Sequence, residues 1–211
     1  MFDIEYKGGN TIIIATKKAS IVTDPKLSVV GLKDITLKGG IEIATEARFA
    51  VNNPDARLEI EGPGEYGVAD FDIKGVAAQR HLDDSNAELL STIYRIEVGD
   101  VRIGLLGNIY EKLSETQLEE LGVIDILVLP VGGNGYTLDA TGAAGLVRQI
   151  DPKVVIPVHY ADDALKYEVP QDTLETFVKE LGGPVETTNK YKVKSLLNLP
   201  STLTIVEVTR S

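Results

Sequence analysis

Val101-Arg102-Ile103-Gly104-Leu105-Leu106, Ile126-Leu127-Val128-Leu129 and Val154-Val155-Ile156-Pro157-Val158 are three short apolar runs inside the stretch Val101–Tyr160. Each is rich in β-branched residues and is followed by turn or polar residues, the pattern of buried central strands. Two helix signals lie between them. Ser114 and Gln117 are spaced as a capping box, and Gly122 is placed to end that helix. Asp139 is an N-cap for a second helix over Asp139–Ile150, with Asp151-Pro152 as its stop. Strand, helix, strand, helix, strand predicts parallel pairing with helices packed on a sheet. Ligands in such sheets bind beyond the carboxyl ends of the strands. Gly107-Asn108, Gly132-Gly133-Asn134-Gly135 and His159-Tyr160 fall there.

Outward from this stretch the grammar changes. Phe2–Tyr6, Thr11–Ala15 and Ala19–Thr23 read as an antiparallel meander ending in Asp24-Pro25, with Lys7-Gly8-Gly9-Asn10 as its first turn. Ser28–Gly40 reads as a loop. Ile41–Thr45, Arg57–Ile60, Val68–Ile73 and Val76–Arg80 read as strands, and Gly62-Pro63-Gly64-Glu65-Tyr66 as a turn. Ser91–Val98 and Val101–Leu106 form a hairpin through Gly99-Asp100. Pro170–Leu181 reads as a third helix, and Lys190–Val193 and Thr202–Val208 as closing strands. The expected class is α/β: two sheets back to back with helices outside, as a single domain over residues 1–211.

Composition narrows the function. The chain has 211 residues, 43% hydrophobic and 25% charged, ordinary for a globular fold. Thirty-two acidic against 21 basic residues give a net charge of −11, which repels phosphate backbones and anionic lipid. Neither a nucleic-acid nor a membrane partner is expected, and a small molecule or a protein is. An oligomer is compatible with this composition. Zero cysteines exclude disulfides, thiolate metal sites and a cysteine nucleophile. The opening Met1-Phe2-Asp3-Ile4-Glu5 does not read as a signal peptide, and no apolar run approaches ~18 residues, so the expected location is cytoplasmic.

Several stretches resemble the metallo-β-lactamase superfamily, in particular its lactonase-like branch of zinc-dependent hydrolases. They are Thr11–Asp24-Pro25, Gly62-Pro63-Gly64-Glu65-Tyr66, His81-Leu82-Asp83-Asp84, Val101–Asn108, Ile124–Gly133 with Tyr136-Thr137-Leu138-Asp139, and Pro152–Tyr160. The resemblance implies an αββα four-layer sandwich. It also implies a His-x-His-x-Asp-His motif after an early strand, then a His, a bridging Asp and a last His. Here the motif positions are Thr45, Ala47, Phe49 and Ala50, and the bridging position is Asn108. Only His81 and His159, the sole histidines, stand at ligand positions.

Catalytic zinc takes about three protein ligands plus an open position for water. The survivors leave one imidazole for each metal. No cofactor and no hydrolase activity are therefore expected. The pocket would be retained for binding or would be structural, with His81, Asn108, His159, Arg48 and Asp24 as its candidate residues. Asn108 would pair with a neutral partner, such as a ring nitrogen of His159 or a water, and both histidines would face one cavity. Phe49 would fill volume once held open by ligands. Arg48 either points into the emptied pocket as a fixed cation or is an exposed loop residue. Asp24 reads as an orienting group. The alternative is a hydrolase with one rebuilt metal at His81 and His159, completed by Glu46 or Asp83.

Overall fold

The computed structural model describes residues 1–81 and 89–211. Fourteen strands make two sheets among these residues. In the first, β1 (Phe2–Gly8), β2 (Thr11–Ala15) and β3 (Ser20–Thr23) pair antiparallel. Next, β4 (Ile41–Ile43) and β5 (Leu58–Ile60) continue from β3 in parallel, and β13 (Tyr191–Val193) flanks β1. The second sheet begins with the antiparallel run β6 (Gly64–Val68), β7 (Phe71–Ala78), β8 (Ser91–Val98) and β9 (Val101–Leu105). It continues in parallel through β10 (Ile126–Pro130), β11 (Val154–Val158), β14 (Thr204–Val208) and the edge strand β12 (Val185–Thr188).

The expected strand–helix alternation is present. Helix α1 (Glu115–Leu121) opens with the capping box: Ser114 Oγ accepts from the Gln117 N–H at 3.2 Å, and Gln117 Oε1 accepts from the Ser114 N–H at 2.9 Å. Gln117 Nε2 also donates to the Ala77 carbonyl at 2.8 Å, which docks the helix on β7. Helix α2 (Ala140–Ile150) is capped by Asp139, whose Oδ1 accepts from the Gly142 N–H at 2.7 Å. Helix α3 (Leu174–Leu181) begins four residues later than Pro170, with Thr173 in the capping position.

One core lies between the sheets, built from Ile4, Ile12, Ile14, Ile41 and Ile43 on one side and Ile96, Ile103, Val128 and Ile156 on the other. The three α-helices bury Leu121, Leu146, Val147 and Phe177 against the outer face of the eight-stranded sheet. The α/β sandwich is thus as expected. None of the helices among the described residues is long and apolar enough to cross a membrane.

Two local expectations are corrected, and one strand lies where none was expected. Gly64–Val68 is a strand rather than a turn, and the hairpin turn sits at Ala69-Asp70, with Ala69 at φ 56°. Gly64 pairs with Gly75, where a Cβ would lie 2.9 Å from the Gly62 carbonyl oxygen. Glycine is needed there for a close approach, not for a turn. The two runs Val68–Ile73 and Val76–Arg80 correspond to one strand, Phe71–Ala78. Val185–Thr188 lacks alternation because it is a largely exposed edge strand, so period-2 reading passes over it.

Candidate functional site

Strand ends from both sheets meet at one edge. Asp24 follows β3 and Thr45 follows β4; Asn108 follows β9, Gly132 follows β10 and His159 follows β11. Main-chain bonds lock this junction. The Thr45 carbonyl accepts from the Thr92 N–H at 2.8 Å, and the Asp24 N–H donates to the Ile43 carbonyl at 2.8 Å. Tyr94 Oη on β8 donates to the Ala44 carbonyl at 3.0 Å, joining the sheets.

Asp24 is buried in the left-handed region at φ 43°. Its carboxyl accepts from the Thr45 N–H at 2.7 Å and from Thr45 Oγ1 at 2.8 Å. Burial pushes its pKa up to about 7, against the lowering effect of the two Thr45 bonds. Thr45 is equally enclosed, because a Cβ on Gly107 would lie 2.4 Å from its Oγ1.

Asn108 is 1% exposed, and its Oδ1 accepts from Asn10 Nδ2 at 3.0 Å. This side-chain partner is neutral, and it is a second amide rather than the His159 ring. Sequence reasoning assigns Asn10 only to a turn, and its place beside Asn108 follows from tertiary packing across 98 positions.

His159 is buried, at φ 53°, with its N–H donating to the Gly9 carbonyl at 2.9 Å. Gln171 Nε2 donates to the Val169 carbonyl at 3.0 Å, so its Oε1 faces His159 Nδ1, also at 3.0 Å. Nδ1 therefore carries the ring proton and Nε2 the lone pair. Burial lowers the imidazole pKa to about 4, so the ring is neutral near pH 7. It stacks on Tyr136 at 5.8 Å between centroids and meets Tyr167 at 4.7 Å. Sequence reasoning misses Gln171 as a site residue because it places it in a helix that begins only at Leu174.

Arg48 lies on the 3₁₀ turn Ala47–Phe49. Its Nε is 2.8 Å from Glu46 Oε2, and Nη2 donates to Oε1 at 3.1 Å. Its guanidinium lies 4.6 Å from the centroid of Phe49 and 5.3 Å from that of Tyr136. Arg48 is half-buried while the Glu46 side chain is 2% exposed, with Arg80 Nη1 3.8 Å away. The cation is thus engaged by one carboxylate and two rings. Glu46, one of the two carboxylates expected to complete a metal site, is held in this cluster instead. The other, Asp83, and its neighbour Asp84 lie outside the described residues.

A cavity of about 30 Å³ opens at this edge. Asn10, Asp24, Phe49, Tyr136, His159 and Gln171 are among its lining residues. Phe49 is buried and contributes to the wall. Neither His81 nor Asn108 borders this cavity, although Asn108 touches Asn10. The His81 N–H donates to the Asn108 carbonyl at 2.8 Å, while its Nδ1 is buried without a hydrogen-bond partner.

The residues present do not fit a two-metal centre. Thr45 Oγ1 is engaged by Asp24, Ala47, Phe49 and Ala50 offer no side-chain donor atom, and Asn108 is an amide. Among the described residues no cluster of three or more His, Asp or Glu side chains forms that could hold a metal.

Comparison with known proteins supplies a further constraint. A UPF0173 protein of Pyrococcus furiosus is 34% identical over 94 residues, 42% of this chain and 43% of its own length. A UPF0173 metal-dependent hydrolase of Natranaerobius thermophilus is 37% identical over 78 residues, 33% of this chain and 35% of the relative. The matches thus span less than half the length of these curated relatives. In structure, a metallo-beta-lactamase superfamily protein of Thermotoga maritima superposes with TM-score 0.77 at 23% identity, covering 99% of this chain and all of the other. A metallo hydrolase of Ignicoccus hospitalis superposes with TM-score 0.65 at 17% identity, over 85% of this chain and 90% of that one. The expectation of no cofactor is corrected here, because relatives of this chain are named metal-dependent hydrolases and a metal is the cofactor their names imply. Residues 3–159 match the beta-lactamase superfamily domain, and the chain belongs to that family.

Proposed function

We propose that the protein is a non-catalytic member of this superfamily whose pocket binds a small molecule. The observation that carries this reading is the Asn10–Asn108 amide pair, at the position where the family's resemblance implies a bridging carboxylate. A metal in such a centre brings the pKa of bound water from 15.7 to about 7, and anionic ligands hold it there. A neutral amide bonded to a second neutral amide lacks that charge. Thr45 supports the same reading, since its hydroxyl is turned to Asp24.

The test is turnover of a panel of lactones, lactams and phosphodiesters with Zn²⁺, Mn²⁺ or Fe²⁺ added. The expected result is no rate above the metal-ion blank. Restoring Thr45→His, Ala47→His, Phe49→Asp, Ala50→His and Asn108→Asp together should create uptake of about two zinc equivalents. Metal-stimulated turnover by the unmodified protein overturns the reading.

A second reading is a hydrolase with one rebuilt metal at His81 and His159. Two observations favour it: His81 Nδ1 is buried without a partner, and His159 keeps its Nε2 lone pair. Under this reading the unmodified protein turns over substrate with added metal, and His81→Gln abolishes it.

A further inference from the structure

The cavity at the strand ends is walled by hydrogen-bond acceptors with capacity to spare. Asp24, His159 and Asn10 all line it. The two oxygens of Asp24 each accept one bond from Thr45, and each keeps a second lone pair. His159 Nδ1 faces Gln171 Oε1, which leaves the Nε2 lone pair without a bond among the described residues. Asn10 Nδ2 is spent on Asn108 Oδ1, and Asn10 Oδ1 is buried without a partner. Exchanging oxygen and nitrogen in both amides together would keep their one bond, so a bound donor selects the arrangement in which the Asn10 oxygen is free.

Size and charge select the ligand. The cavity of about 30 Å³ has room for one small head group. Val29 and Glu168 border it and are exposed, so the rest of a ligand lies outside. Asp24 and Glu168 outnumber Lys26 on the lining, and the charge of the neighbouring Arg48 is already taken by Glu46 at 2.8 Å. A carboxylate head would set an anion against Asp24. A hydroxyl brings a single donor. A primary ammonium brings three donors, no acceptor and the complementary charge. Ring faces also draw a cation, and Tyr136 and Tyr167 stand 5.8 and 4.7 Å from His159 between centroids.

Building on the binding reading above, we infer that this cavity takes the primary ammonium group of a small amine, held by Asp24, His159 and Asn10, with the apolar body of the amine at the Val29 rim. The probe is benzylamine, read by calorimetry and by the tyrosine ring signals in NMR. It should bind saturably and perturb Tyr136 and Tyr167. Benzyltrimethylammonium keeps the charge and loses the N–H donors, benzyl alcohol loses the charge, and benzoate reverses it; each should bind at least tenfold more weakly. Potassium chloride should displace benzylamine no better than sodium chloride at equal ionic strength. Asp24→Asn keeps an acceptor for the Thr45 N–H and removes the carboxylate, so it should weaken benzylamine at least tenfold. Should that variant fail to fold, the ligand series on the unmodified protein decides alone. No saturable benzylamine binding at millimolar concentration, binding of any of the three counterparts as tightly as benzylamine, or preferential displacement by potassium overturns the inference. Those results leave the non-catalytic reading standing. Metal-stimulated turnover would overturn that reading, while benzylamine binding by the metal-free protein decides the amine site on its own.

Discussion

Asp24, only 3% exposed, is held by two bonds from one residue, Thr45. Its pKa rises from 3.8 to about 7, with desolvation as the leading cause. The sign follows from proton counting. Between about pH 4 and 7 the native state keeps a proton that the unfolded chain releases, so stability falls as pH rises through that window and levels off above it. The full effect is on the order of 4 kcal/mol. Asp24→Asn keeps an acceptor for the Thr45 N–H and removes the charge. The variant should match the parent near pH 4 and exceed it by a few kcal/mol above pH 7. His159, whose pKa is lowered, contributes an opposite slope in both proteins and cancels in the difference. Urea midpoints at pH 4, 5.5 and 7.5 measure it, and parallel curves would refute it. At this scale, residue identity in the sequence marks Asp24, Asn108 and His159, because each follows an apolar run. It is silent on Asn10 and Gln171, whose roles exist only once distant segments touch.

At the scale of elements, the strand ends are packed to the limit that glycine allows. A Cβ on Gly132 would lie 2.2 Å from both the His159 carbonyl oxygen and Gln171 Oε1. A side chain can move away; a carbonyl at the end of β11 moves only with its strand. Gly132→Ala should therefore cost about 2–3 kcal/mol and disturb the Gln171–His159 contact. Gly145, exposed within α2 with nothing within 4 Å of the position a Cβ would take, is the opposite case. Gly145→Ala should stabilise by about 0.5–1 kcal/mol through helix propensity alone. Thermal midpoints of the two variants test the pair, and equal effects would contradict the packing argument. The same contrast explains which elements are readable. Val154–Val158 and the capped α1 announce themselves through local pattern. Gly64–Val68 misleads because Gly64, at φ 152°, lies in a strand and pairs with Gly75 rather than making a turn.

For the whole molecule, the site exists only where the two sheets touch, so its geometry depends on their mutual position. Tyr94 is a direct tie: a fully buried ring on β8 whose hydroxyl reaches the Ala44 carbonyl beyond β4. Burial raises its phenol pKa far above the usual value, so it remains a donor throughout the working range. Removing the hydroxyl leaves the Ala44 carbonyl without this partner in a dry place, which costs about 1–3 kcal/mol. The Ala44 N–H separately donates to the Ile60 carbonyl at 2.9 Å, so β4 and β5 stay paired when the tie is cut. Tyr94→Phe should therefore lower stability without altering either sheet internally. Its consequence should appear between them, as faster amide exchange at Thr92, whose N–H crosses the same seam to the Thr45 carbonyl. Unfolding followed by far-ultraviolet dichroism and by tyrosine absorbance should remain coincident, because the shared core keeps the sheets one cooperative unit. Separate transitions for the two probes would show that the sheets fold independently and that the junction is not what positions Asp24, Asn108 and His159 together.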